Sequence, residues 1–125
     1  MPDLSIPVLF INLDQSSDRL LFMRRQAERL GLEFERIPAV DALHVPVDLA
    51  GYFAHIQTGK LPIIDDAAVG CYASHLKALR RFEQTDAPAA LILEDDALLP
   101  DNIVQVLDEL MAAQLMSCEI QSITI

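Results

Sequence analysis

Ala89-Ala90-Leu91-Ile92-Leu93 runs without a break into Glu94-Asp95-Asp96. No other stretch restricts the fold as much. A continuous apolar run of this length predicts a strand covered on both faces, as in a parallel sheet flanked by helices. In such sheets, ligands bind just beyond the carboxyl ends of the strands. Three carboxylates are therefore expected where a site would form. Neighbouring carboxylates a few Å apart repel by about 3 kcal/mol per pair at an effective dielectric near 20. The triplet needs a partner: a divalent cation, a basic side chain, a proton or open water.

The remaining segments supply the rest of an α/β domain. Ile6 to Asn12 is a second apolar run and predicts a buried, parallel first strand, with Pro7 tolerated at its start. Asp14-Gln15-Ser16-Ser17-Asp18 is a polar turn. Ser16 or Ser17 can cap the next helix, and Asp18 suits its first turn. Leu20, Met23, Ala27 and Leu30 recur at helical spacing, and Gly31 is the natural stop. Leu32 to Ile37 alternates in part and predicts a strand nearer an edge. Strand, helix and strand with short joins make a βαβ unit. Asp41 to Asp65 is broken by Pro46, Gly51, Gly59 and Pro62, with a short helix expected around Leu49 to Ile56. Asp65 and Asp66 can cap a helix running from Val69 to Phe82. Gly70 within it costs about 1 kcal/mol relative to Ala, which points to a close approach by backbone or ligand. Pro100 fits the first turn of a last helix, with Ile103, Val104, Leu107, Leu110 and Met111 as its apolar face.

Composition narrows the function. The chain has 125 residues, enough for one domain with one sizeable core. Its net charge of −10 argues against non-specific binding to nucleic acid. The two cysteines, Cys71 and Cys118, form no CxxC pair and suggest neither a disulfide framework nor a zinc site. No apolar run is long enough for a membrane span, and the N-terminus has no signal-peptide pattern. The expected compartment is the cytoplasm.

Three constellations could carry chemistry. Glu94 and Asp96 lie two apart, so in an extended segment both could face one cation while Asp95 turns aside to a backbone N–H or a hydroxyl. Hard ions such as Mg²⁺ or Mn²⁺ take few carboxylates and keep positions open for phosphate oxygens. The bland reading is a solvated turn that starts the next helix. Asn12, Asp14, Ser16, Ser17, Asp18 and Arg19 form the second set. A polar turn entering a helix N-terminus can hold a diphosphate through backbone N–H groups, and Arg19 could reach a phosphate or an acidic neighbour. The alternative is an ordinary capped helix start. The third set is Ser74 and His75. Adjacent helical residues do not face one another, so the pair is not a catalytic dyad, and the plain expectation is a pair of satisfied helix residues. His44 and His55 have no supporting pattern, and Cys71 is expected as a small core residue.

In order along the chain, these segments resemble glycosyltransferase family 25, the lipopolysaccharide-biosynthesis glycosyltransferases. Val8 to Ser16 with Asp18-Arg19 is similar to the family's opening strand and "INL…S.DR" turn. Phe34 to Asp41 is similar to its "F.R..AVD" segment. Gly70 to Leu79 is similar to its "GC..SH..AL" helix, and Leu91 to Ala97 to its "ILEDDA" strand. The resemblance implies a GT-A-like, Rossmann-like mostly parallel sheet flanked by helices. It implies a nucleotide-sugar donor, commonly UDP-linked, and a glycan or lipooligosaccharide acceptor. Such an acceptor brings peripheral contact with the inner face of the inner membrane. Glu94 and Asp96 would hold Mn²⁺ or Mg²⁺. Asn12, Asp18, Arg19, Ser74, His75 and Asp95 would surround the donor. Two departures stand out. Ala68 replaces a Glu that the family usually places two residues before the Gly-Cys pair, and the family pattern continues well past the acidic strand. Residues 1–125 are therefore expected to form a single donor-binding, N-terminal part, with an atypical tail over 117–125 and the general base elsewhere. Two alternatives are a non-catalytic remnant that at most binds nucleotide, and a phospho-receiver-like signalling module. Against the latter, the first strand ends in Asn12-Leu13-Asp14 and the last lysine is Lys77.

Overall fold

Strand β1 (Val8–Asn12) is buried at all five positions and lies at the centre of a three-stranded sheet. The structure, a computed structural model, describes residues 6–41 and 66–117. Both partners of β1 are parallel to it: β2 (Phe34–Pro38) on one side and β3 (Leu91–Glu94) on the other, giving the order β2-β1-β3. The intervening helices are α1 (Ser17–Leu30), α2 (Asp66–Glu83) and α3 (Ile103–Ser117). The expected α/β class and parallel pairing are present, and among the described residues β2 lies at an edge, as its weaker alternation suggests.

Period-2 alternation along β1 sorts the core into two layers. Val8 and Phe10 pack with Met23 and Leu30 of α1, Leu93 of β3, and Ile103 and Leu107 of α3. Leu9 and Ile11 face the other way, against Ile37 of β2 and Ala78 of α2. Helices α1 and α3 therefore cover one face and α2 the other. Burying each of Phe10, Leu9, Met23 and Ile103 contributes about 1.5–3 kcal/mol, so β1 anchors both layers.

Several local expectations shift. β3 is only partly covered. Leu91 and Ile92 are half-buried, because among the described residues β3 pairs with β1 alone. Helix α1 starts after Ser16, whose hydroxyl makes no capping bond; its carbonyl instead accepts from Asn12 Nδ2. At the other end, Gly31 adopts φ 66° and ψ 28°. Its N–H and that of Leu32 return to Glu28 and Ala27, closing the helix as a Schellman turn. Pro100 does not sit in the first helical turn. Asp101 and Asn102 form a turn, and α3 begins at Ile103 with the expected apolar face. The segment predicted around Leu49 to Ile56, His44, His55, the Asp65 cap and residues 118–125 of the expected tail lie outside the described residues. No described helix is long and apolar enough to cross a membrane.

Candidate functional site at the carboxyl ends of the strands

Asn12 ends β1 and Glu94 ends β3, one register step apart, since Ile11 pairs with Glu94. From β1 the chain crosses first to β2 and later to β3 on the opposite side. The crevice between the carboxyl ends of β1 and β3 is therefore the switch point of the sheet, where open α/β folds bind ligands. A cleft of about 430 Å³ opens there, lined by Ile11, Leu13, Gln15, Arg19, Ala39, Val40, Asp41, Gly70, Cys71, Ser74 and the whole acidic triplet.

The triplet divides its charge problem three ways. Asp95 turns inward and is buried, accepting from Asn12 Nδ2 at 2.9 Å and from Arg19 Nη1 at 3.2 Å. Its partners are an amide and a guanidinium rather than the expected backbone N–H or hydroxyl. Glu94 is exposed and turns toward α2, where Cys71 Sγ donates to its Oε1 at 3.5 Å and His75 Nε2 lies 3.7 Å away. Asp96 stays exposed to water on the cleft wall. A basic side chain, two α2 residues and solvent thus each answer one carboxylate.

Asn12 is held as firmly as it holds. It is 1% exposed. Arg36 Nε donates to its Oδ1 at 2.9 Å, and Arg36 Nη2 reaches its backbone carbonyl and Asp14. With Oδ1 occupied by a donor, the amide nitrogen is left to face Asp95 and the Ser16 carbonyl. The run Arg36–Asn12–Asp95–Arg19 links β2, β1, the β3 loop and α1. Arg36 was not singled out as a site residue from sequence, although it is the "R" of the F.R segment.

Gln26 was missed too. Its charge-free side chain falls on the buried face of α1, where Nε2 donates to the Ala97 carbonyl at 2.7 Å and Oε1 accepts from Leu99 N–H at 2.8 Å. Arg29 adds contacts to the Leu99 carbonyl and to Asp101. These bonds pin the loop that follows the acidic run.

Of the other sequence candidates, Ser74 is buried on the cleft. It donates to the Gly70 carbonyl at 2.6 Å and accepts from Val40 N–H at 2.8 Å, tying α2 to the end of β2. Gly70 lines the cleft, where any side chain would occupy its space. Asp18 is exposed in the first turn of α1 and is not brought to the cleft wall. His75 meets Glu94 beside the cleft. Cys71 is exposed rather than a core residue. Its partial desolvation, aided by the hydrogen bond to Glu94 and that carboxylate's negative charge, raises the thiol above its ordinary pKa.

Two donor sets could hold a metal ion. Glu94 and Asp96 offer exposed carboxylate oxygens on one cleft, the chemistry a hard, phosphate-bridging cation requires. Cys71, His75 and Glu94 offer a thiol, an imidazole and a carboxylate whose ligand atoms all lie within 4.8 Å of one another.

Residues 5–124 match the family model for glycosyltransferase family 25, described as LPS biosynthesis protein. A curated "Glycosyltransferase 25 family member" from Drosophila pseudoobscura pseudoobscura is 30% identical over 98 residues, covering 71% of this chain. The chain spans 15% of the length of that relative. No solved structure matches.

Proposed function

Since the chain belongs to glycosyltransferase family 25, we propose that its cleft binds a nucleotide-sugar donor, UDP-linked in the first instance, for transfer of the sugar to a hydroxyl of a glycan such as lipopolysaccharide oligosaccharide. The phospho-receiver alternative has no support from this match. A GT-A-like domain is the architecture proposed around the described sheet, acting in the cytoplasm at the inner face of the membrane that carries the acceptor.

One observation carries the reading. Asp95 is consumed by Asn12 and Arg19, while Glu94 and Asp96 remain exposed on the cleft at the switch point. Glu94 and Asp96 would hold Mn²⁺ or Mg²⁺, which when bound would offset the diphosphate charge and stabilise the departing nucleoside diphosphate. Asp95 sets the backbone of the acidic run, so that its two neighbours present oxygens to the cleft. Arg19 remains 60% exposed despite its ion pair and lines the cleft, where it adds positive charge near a donor phosphate. Gln15 and Arg19 flank the start of α1, whose free N–H groups favour an anion there. Ser74 keeps the α2 wall against the end of β2.

The test is titration of UDP into the 125-residue chain with and without Mn²⁺, by calorimetry. Asp96→Asn should abolish metal-dependent UDP binding while circular dichroism and melting stay as in the parent. Binding of equal strength in the variant would remove Asp96 from the metal role. Incubation with UDP-sugars and glycan acceptors then asks whether this chain turns over, which a non-catalytic remnant would not.

A further inference from the structure

Cys71 and His75 stand four residues apart on α2, so both project from the same helix face. Glu94, at the end of β3, comes up against that face. Its Oε1 is 3.5 Å from Cys71 Sγ and 3.7 Å from His75 Nε2, and all three ligand atoms lie within 4.8 Å of one another. A tetrahedral ion bound at about 2.0–2.3 Å to sulfur, nitrogen and oxygen separates its ligand atoms by about 3.3–3.6 Å. Two of the separations are already close to that requirement. Cys71 and Glu94 are exposed and His75 is half-exposed, so the side chains have room to close the rest.

We infer that Cys71, His75 and Glu94 form a binding site for a borderline divalent transition metal of the Zn²⁺ class, with a fourth coordination position open to the cleft. The donor types decide the metal class. Thiolate and imidazole favour Zn²⁺ and its neighbours, whereas Mg²⁺ is taken by oxygen ligands. Three protein ligands with one open position is the arrangement of an accessible zinc site rather than a closed structural one. On binding, the Cys71 S–H bond breaks, the sulfur's electron pair goes to the metal, and one proton leaves to solvent. Glu94 exchanges its hydrogen bond from the thiol for a bond to the ion. The site stands apart from donor binding except at Glu94, which both would use. Cys71 and His75 are ligands in the thiolate site alone, and Asp96 is a ligand in the donor site alone.

Cobalt(II) is the probe, because a thiolate bound to Co²⁺ gives a charge-transfer band in the near ultraviolet. The reduced, metal-free protein carries Cys118→Ser, so Cys71 is its remaining cysteine. One equivalent of Co²⁺ should produce the band, Zn²⁺ should displace it, and Cys71→Ser should abolish it. His75→Ala and Glu94→Gln should each weaken Co²⁺ binding by at least the roughly tenfold that even an outer-shell partner contributes. Asp96→Asn should leave the band unchanged, which separates this site from the donor reading and its UDP titration. Absence of the band, its survival in Cys71→Ser, undiminished affinity in either His75→Ala or Glu94→Gln, or its loss in Asp96→Asn would each overturn the assignment.

Discussion

Asp95 is the middle of three acids and the one that is buried, 7% exposed between two exposed neighbours. An extended run would separate it from Glu94 and Asp96 by alternation. But β3 ends at Glu94, and Asp95 and Asp96 form a turn closed by Ala97 N–H on the Glu94 carbonyl; it is this turn that sends Asp95 inward. That Asp95 would part from its neighbours was legible, although not by the turn that does it, and so was Arg19 reaching an acidic neighbour. The identity of the partner network was not. Asn12 and Arg36 are 83 and 59 positions upstream of Asp95, and only the parallel pairing of β1 with both strands brings them together. Asp95→Ala should destabilise the protein by about 1–3 kcal/mol, because it strands a buried Asn12 N–H and leaves Arg19 without its carboxylate. Asp95→Asn retains an acceptor oxygen for Asn12 and should lose less. Urea unfolding of the two variants measures the difference; equal losses would mean that the charge, not the buried hydrogen bond, is what Asp95 contributes.

At the scale of elements, type and order could be read from the apolar runs and from Gly31, whose positive φ the helix end needs. The boundaries and the cross-element ties were harder. Pro100 marks the approach to α3 but lies three residues before it, because Asp101 and Asn102 take a turn of their own. Cys71 was expected in the core because a free cysteine behaves as a small hydrophobe; the Cys-x-x-x-His spacing was the available sign that it shares a face with His75 instead. Gln26 carried no signal at all. A single glutamine on an apolar stripe shows its purpose only when a loop from far along the chain arrives with one free carbonyl and one free N–H. Gln26→Leu preserves the size and helix preference of the position and deprives Ala97 O and Leu99 N–H of their partners. It should cost about 1–3 kcal/mol and raise hydrogen exchange at Leu99 while leaving the amides of β1 protected. Unchanged exchange at Leu99 would show that Arg29 alone suffices to hold this loop.

Across the whole molecule, the two covered faces are tied differently. The α1/α3 face is closed by the larger apolar cluster and by Gln26 and Arg29, while the α2 face has a smaller cluster supplemented by polar ties to β2. Lys77 donates to the Pro38 carbonyl, Ser74 bridges to Val40, and Arg81 makes a two-bonded ion pair with Glu35 at 2.6 and 2.9 Å. One of these ties, the Arg81–Glu35 pair, gives the docking of α2 a dependence on pH. The hydrogen bond from Arg81, helped by its charge and opposed by modest desolvation, holds the Glu35 carboxyl below its ordinary pKa. A carboxylate with a lowered folded-state pKa stabilises the protein above its unfolded pKa, and that contribution disappears as pH falls through the folded value. Both side chains are about two-fifths exposed, so solvent and salt screen the pair and its effect is small. Glu35→Gln should therefore melt slightly below the parent at neutral pH, and the gap should narrow as acid protonates Glu35 in the parent. Added salt at neutral pH should narrow it as well. Melting curves of parent and variant at a series of pH values and two salt concentrations decide the matter. A gap that stays constant from neutral to acid pH would mean that ionisation of Glu35 is not what separates the two proteins, and that the charge of the pair with Arg81 contributes nothing to the docking.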